Sequence, residues 1–75
     1  MKIVIQDAKS LGLAIRERRK QSGIRIDDAA ALCGIAVSTL SSLENGSRPA
    51  RIDTILQVIG KMGLSLTIGD EDALS

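Results

Sequence analysis

A single glycine at position 34 separates two short amphipathic segments, and its spacing to nearby small and apolar residues constrains the fold of this chain most strongly. Ala30 lies four residues before Gly34, while Leu40 and Leu43 lie six and nine residues after it. A small side chain at Ala30 lets two helices cross closely, and Gly34 accepts a turn conformation that a side chain would hinder. Leu40 and Leu43 share one inward-facing stripe. The spacing predicts two helices joined by a tight turn, the second ending at Gly46.

The length and composition limit what the chain can bury and bind. A domain of 75 residues buries only about 60–65% of the surface that it exposes when unfolded, so we expect help from a partner subunit. Hydrophobic residues make up 44% of the sequence, but Phe, Tyr and Trp are absent. Without aromatic side chains the chain has no platform on which to stack the bases of single-stranded nucleic acid.

Residues and segments that mark several other classes of protein are also absent from the sequence. There is no His, and Cys33 is the one cysteine, so the common zinc sites, histidine acid–base chemistry and an intrachain disulfide are excluded. The acidic groups at 27–28 and 70–72 are not set in an obvious pocket, and we predict neither an enzyme nor a cofactor. No segment approaches the about 18 apolar residues of a membrane span, and no leader pattern is present, which predicts a cytoplasmic protein.

The charge is distributed unevenly along the chain. The formal net charge is +1, yet residues 1–25 contain seven of the ten basic residues and two of the nine acidic ones. For binding a polyanion, this uneven distribution of charge matters more than the net charge of the whole chain. Because consecutive helical residues point about 100° apart, the basic residues of the first helix do not form one patch. We expect Arg16, Arg18 and Lys20 to face solvent or to contribute electrostatically at a distance, and not to make specific contacts.

The periodicity of apolar residues predicts four helices. The first begins after Asp7, which serves as its N-cap, and stops at residues 22–23. The second and third cover residues 27–33 and 37–44, and the fourth covers 52–62. The predicted fold class is therefore all-α, with one short β element at the end.

We divide the chain into an N-terminal arm or strand (1–6), a helical domain (7–63), a strand (64–69) and a flexible tail (70–75), all within a single domain of residues 1–75. Apolar and hydroxyl residues alternate after the fourth helix, which is typical of a half-buried strand. A lone strand cannot satisfy its own backbone, so we expect it to pair with the same strand of a second chain. The predicted dimer contacts are Ile55, Ile59, Leu64, Leu66 and Ile68.

Several motif residues carry a resemblance to a known family: Ala30, Gly34, Leu40 and the Leu-Glu-Asn-Gly run at 43–46. Through them, residues 11–68 resemble the Xre/Cro family of repressors, and the short length with the strand-like 64–67 is most similar to HipB-type antitoxins. The resemblance implies a lambda-repressor-like helix-turn-helix domain. It further implies a homodimer that binds a palindromic operator in double-stranded DNA, represses its own operon and restrains a HipA-like Ser/Thr kinase toxin.

The resemblance also implies roles for individual residues. In this family the exposed side of the third helix faces base edges, one residue points to a phosphate, and arginines beside the helices hold the DNA backbone. The hydroxyl and valine side chains at these positions cannot make the two-pronged base contacts that contribute about 1–3 kcal/mol each, so we expect DNA shape to assist readout. The predicted DNA contacts are Arg25, Val37, Ser38, Thr39, Ser41, Ser42, Arg48 and Arg51.

Phage-type members of the family pair an arginine of the first helix with the glutamate of the Leu-Glu-Asn-Gly run. The corresponding residues here are Arg19, four residues before Gly23, and Glu44, so a structural ion pair is predicted between them. Two alternative functions stay open from the sequence. One is a stand-alone Xre-type repressor without a toxin, and the other is a protein-interaction module that retains the helix-turn-helix only as a scaffold.

Overall fold

The computed structural model describes residues 3–70, and within them the chain forms four α-helices. They are α1 (Ala8–Gln21), α2 (Ile26–Cys33), α3 (Val37–Asn45) and α4 (Ile52–Lys61). The predicted all-α fold is confirmed, and the predicted helix bounds agree to within one residue. Residues 1–2 and 71–75 lie outside the described part of the chain, and with them most of the predicted tail.

The first helix begins with a reciprocal cap, in which Asp7 is the N-cap that the sequence predicts. The Asp7 carboxylate accepts a hydrogen bond from the Ser10 backbone N–H at 2.7 Å, and the Ser10 hydroxyl oxygen accepts one from the Asp7 backbone N–H at 3.1 Å. Two otherwise unsatisfied backbone N–H groups are thereby paired. The bond from the Ser10 backbone stabilises the ionised carboxylate and lowers the pKa of Asp7 below its ordinary value.

The hydrophobic core takes one large, fully buried side chain from each helix: Ile15, Cys33, Leu40 and Val58. Burial raises the pKa of the Cys33 thiol, as desolvation disfavours the thiolate. A side-chain bond ties α4 to α2, because the Gln57 amide nitrogen donates to the Cys33 carbonyl. With no aromatic residue available, aliphatic and sulfur-containing side chains make up this small core.

Neither segment that the sequence predicts as a strand forms one within residues 3–70. Residues 3–5 and 64–70 have no regular secondary structure. A strand requires a neighbour for its backbone hydrogen bonds, and residues 3–5 and 64–70 form no such pairing with each other. Residues 3–5 therefore fit the arm that was the alternative to a strand, and pairing of 64–69 with a second copy stays a prediction.

Candidate functional site

A three-residue turn sets the angle between α2 and α3. Gly34 has a φ of +71°, in the left-handed region that a residue without Cβ adopts readily, and it ends α2. The Gly34 backbone N–H then bonds to the Ala31 carbonyl, and the Ile35 N–H bonds to the carbonyl of the buried Ala30. The chain bends by 106° between α2 and α3. An angle of this size across a turn of three or four residues is typical of a helix-turn-helix.

The buried carboxylate of Glu44 fastens the end of α3 to α1. Arg19 binds this carboxylate in a bidentate manner: its Nε lies 2.8 Å from Oε2, and its Nη2 lies 2.9 Å from Oε1. Arg19 Nη1 also donates to the Ile24 carbonyl at 3.1 Å. Hydrogen bonding to Glu44 raises the pKa of Arg19 above its ordinary value. The ion pair that the sequence predicts is present in this geometry.

Two arginines expected to face solvent or to act at a distance have intramolecular partners that were not predicted. Arg16 Nε lies 3.4 Å from Glu44 Oε1, and Arg16 Nη2 donates to Asn45 Oδ1 at 2.7 Å. Arg18 Nε donates to the Met62 carbonyl at 3.0 Å, just beyond α4. Positions 16 and 19 are three residues apart and share a helix face, which is the signal that sequence reasoning missed.

The side of α3 that points away from the hydrophobic core is uncovered. Leu40 and Leu43 turn into the core, and the polar side carries every residue of α3 that was predicted to contact DNA. Val37, Ser38 and Thr39 are exposed, and Ser41 and Ser42 are partly exposed. At about 100° per residue, Ser38 and Ser42 lie near the centre of this side, with Val37 and Thr39 toward its edges. We define the exposed face of α3 as residues 37–39, 41, 42 and 45.

The three arginines predicted to hold phosphates are all exposed. Arg25 and Arg51 occupy the N-cap positions of α2 and α4, whose first turns receive no side-chain cap from them. Each forms an exposed ion pair with an aspartate two residues later, at 3.4 and 3.2 Å. Such pairs contribute little, about 0–1 kcal/mol, and compete weakly with a phosphate. Arg48, in the loop before α4, has no ion pair among residues 3–70.

All but Ile55 of the residues predicted to contact a second chain line an apolar groove of about 480 Å³, which is formed by both end segments, 3–5 and 64–68, and by parts of α1 and α4. Ile68 is 95% exposed and Leu66 is 43% exposed. Ile55 and Leu64 are half-buried against the core. Ile59 is only 6% exposed, so it lines the groove as part of its own core and does not protrude.

Features of other kinds of site are lacking in the described residues. No group of three or more His, Cys, Asp or Glu side chains between residues 3 and 70 is arranged to hold a metal ion. No single helix of that range is long and apolar enough to cross a membrane, and α2 with α3 reaches such a length and composition only as a bent pair.

Comparisons with known proteins identify the same helix-turn-helix arrangement. The model of the helix-turn-helix family matches residues 15–68. An uncharacterized HTH-type transcriptional regulator, y4mF of Sinorhizobium fredii, is 31% identical over 64 residues, covering 85% of this chain and 84% of that relative.

Solved structures of similar fold include HipB in two kinds of complex. In a HipA–HipB–O2–O3 complex the matched chain superposes with a TM-score of 0.81 at 26% identity, covering 91% of this chain and 96% of that one. In a complex of a HipB variant with an O2 20mer the TM-score is 0.84 at 25% identity, with coverages of 95% and 99%. Both matches therefore extend over nearly the whole of each chain.

Proposed function

Because the chain belongs to the helix-turn-helix family of transcriptional regulators, we propose that it represses transcription by inserting the exposed face of α3 into the major groove of double-stranded DNA. One observation carries the proposal: α3 is fixed from behind by Leu40, Leu43 and Glu44, while its polar side is left uncovered. A helix fits a groove about 12 Å wide, and rigid attachment reduces the ordering cost of binding.

The arginines beside the helices would align this face with the DNA backbone. Arg25 and Arg51 stand at the starts of α2 and α4, where backbone N–H groups and the helix dipole favour an anion. Arg48 adds an exposed positive charge in the loop that follows α3. Phosphate contacts position the protein, and the serines of α3 then meet base edges. Their short side chains leave part of the specificity to DNA shape.

We propose that the active form is a homodimer. The apolar groove and the exposed Leu66 and Ile68 would be covered if 64–68 paired with the same segment of a second copy. Two-fold pairing satisfies backbone groups that one chain leaves open. Recognition helices about 34 Å apart then match a palindromic operator.

The similarity to HipB in a HipA–HipB complex supports a second partner for this chain. We propose that it restrains a HipA-like Ser/Thr kinase as an antitoxin, in addition to repressing its own operon. Large apolar side chains exposed away from the end segments offer surface for such a partner: Leu32, Ile52 and Leu56. Calorimetry with a HipA-like kinase tests this step: binding supports the antitoxin role, and absence of binding would leave a stand-alone repressor.

The DNA-binding proposal is tested by selecting bound duplexes from a random pool and then titrating salt. We expect a palindromic sequence to be enriched and its affinity to fall steeply as salt rises, because phosphate contacts release counterions. A scrambled duplex should bind more weakly at every salt concentration. Absence of duplex binding at about 50 mM salt would contradict the proposal and support a scaffold for protein interactions.

A further inference from the structure

A side chain of α1 holds the backbone at the end of α4. Arg18, which is partly buried, donates from its Nε to the Met62 carbonyl oxygen at 3.0 Å. Its Nη2 would lie 3.1 Å from a Cβ added to Gly63, so the guanidinium group lies directly beside the peptide that joins residues 62 and 63. A cation at this place also complements the negative end of the α4 dipole.

Gly63 is the point at which the chain turns away from α4. It has a φ of +72°, and the N–H groups of Gly63 and Leu64 bond back to carbonyls in the last turn of the helix, at 3.2 and 2.9 Å. A residue without Cβ adopts many conformations at little cost, so the direction of the chain is least restricted here. Arg18 holds the Met62 carbonyl, which neither backbone bond uses, and thereby restricts the same peptide.

The segment that begins after this turn is the one that lines the apolar groove. Residues 64–68 form one wall of the groove, and Leu11, Ala14 and Ile15 of α1 contribute to another. Arg18 follows these three residues by seven, four and three positions, so it continues the same stripe of α1. Arg18 therefore lies at the end of the groove where 64–68 leaves α4.

We propose that Arg18 is a positioning residue for dimer formation, because it fixes the direction in which 64–68 leaves α4. The inference rests on the proposed homodimer, since it names the residue that orders the pairing segment before a second copy binds. A segment that is already ordered in one chain loses less conformational freedom when it pairs. Arg18 acts through the Met62 carbonyl and needs no contact with the second copy.

The substitution Arg18→Gln tests this role, with Lys20→Gln as the matched control. Both remove one positive charge from the last turn of α1, but Lys20 is exposed and Arg18 holds the Met62 carbonyl. Sedimentation equilibrium is measured well below the melting temperature, where circular dichroism shows both variants to be folded. We expect the dimer dissociation constant to rise about ten-fold for Arg18→Gln and to change little for Lys20→Gln. Equal dissociation constants for the two variants would overturn the inference.

A second measurement separates positioning from a contribution to stability alone. In chains kept monomeric by Ile68→Asp, heteronuclear NOE values report the fast motion of the backbone at 64–67. Adding Arg18→Gln should lower these values, whereas adding Lys20→Gln should not. A residue that only stabilises the fold would lower the melting temperature and leave the NOE values unchanged, which would also overturn the inference. A monomeric unaltered chain at every concentration would instead contradict the homodimer itself, and that result is recognised without any variant.

Discussion

Gly12 of α1 lies against Glu44 of α3 so closely that a Cβ added to the glycine would stand 2.3 Å from the Glu44 backbone oxygen. The neighbouring Leu43 oxygen would be 2.4 Å from the same atom. Backbone atoms cannot rotate away as a flexible side chain can, so no larger residue fits unless the two helices separate. This contact places α3, together with the Arg19–Glu44 pair, at a fixed distance from α1.

Gly12→Ala is therefore expected to destabilise the fold by about 1–3 kcal/mol, as overpacking of a close helix contact does. Gly60→Ala is the matched control, since Gly60 is also helical and an added Cβ there meets nothing within 4 Å. It should stabilise the chain by about 0.5–1 kcal/mol, because alanine is the better helix former. Urea unfolding followed by circular dichroism measures both, and equal shifts of the same sign would contradict this packing account.

Removing the Glu44 carboxylate should also destabilise the chain strongly. Glu44→Ala leaves Arg19 buried without its partner, and the loss of one member of a buried ion pair costs about 3–5 kcal/mol. Glu17→Ala, on the exposed side of the same α1 helix that carries Arg19, is the control and should change stability little. Thermal unfolding of the two variants decides the matter: similar melting temperatures would show that the ion pair does not stabilise the fold.

The sequence predicts the four helices well because each carries local signals. Asp7 begins α1, and Gly34 and Gly46 both adopt the left-handed conformation that ends α2 and α3. The partners of Arg16 and Arg18 are not predicted, because a side chain of that length can reach several places and the choice depends on distant residues. Asn45 and Met62 provide the partners, 29 and 44 residues away in sequence.

Gly12 and the end segments show two further limits of sequence reasoning. A glycine inside a helix weakens it by local propensity alone, and only the crossing of α1 and α3 reveals why Gly12 is required. The alternating pattern at 64–68 predicts a strand, but the pattern does not say where the partner strand comes from. Such information belongs to an assembly and not to one chain.

Ser42→Ala and Arg48→Ala should affect DNA binding in different ways. Ser42 lies on the exposed face of α3, so its loss should change which operator bases matter. Arg48 is expected to hold a phosphate, so its loss should weaken binding to all sequences alike and lower the salt slope by about one. Fluorescence anisotropy with operator and mutated duplexes measures both. An altered base preference with an unchanged salt slope for Arg48→Ala would show that these roles are wrongly assigned.

Ending the chain at Gly63 should give a monomer that keeps its helices but loses operator binding, because the segment proposed to join the two copies is removed. Ile68→Asp tests the same interface in the full chain. Ile68 is 95% exposed in one chain, so an aspartate there leaves the monomer fold intact but disfavours an apolar interface. Ile52→Asp, another exposed position, is the control. Sedimentation equilibrium showing a stable dimer for both the shortened chain and Ile68→Asp would place the interface elsewhere.

The central claim is that the exposed face of α3 contacts DNA, and chemical-shift mapping tests it most directly. Isotope-labelled protein is titrated with its selected operator duplex, and the backbone amide shifts are followed by nuclear magnetic resonance. The account predicts the largest changes at residues 37–42, with further changes at Arg25, Arg48 and Arg51. Changes confined to residues 64–68 or to the outer side of α4, with α3 unaffected, would contradict it.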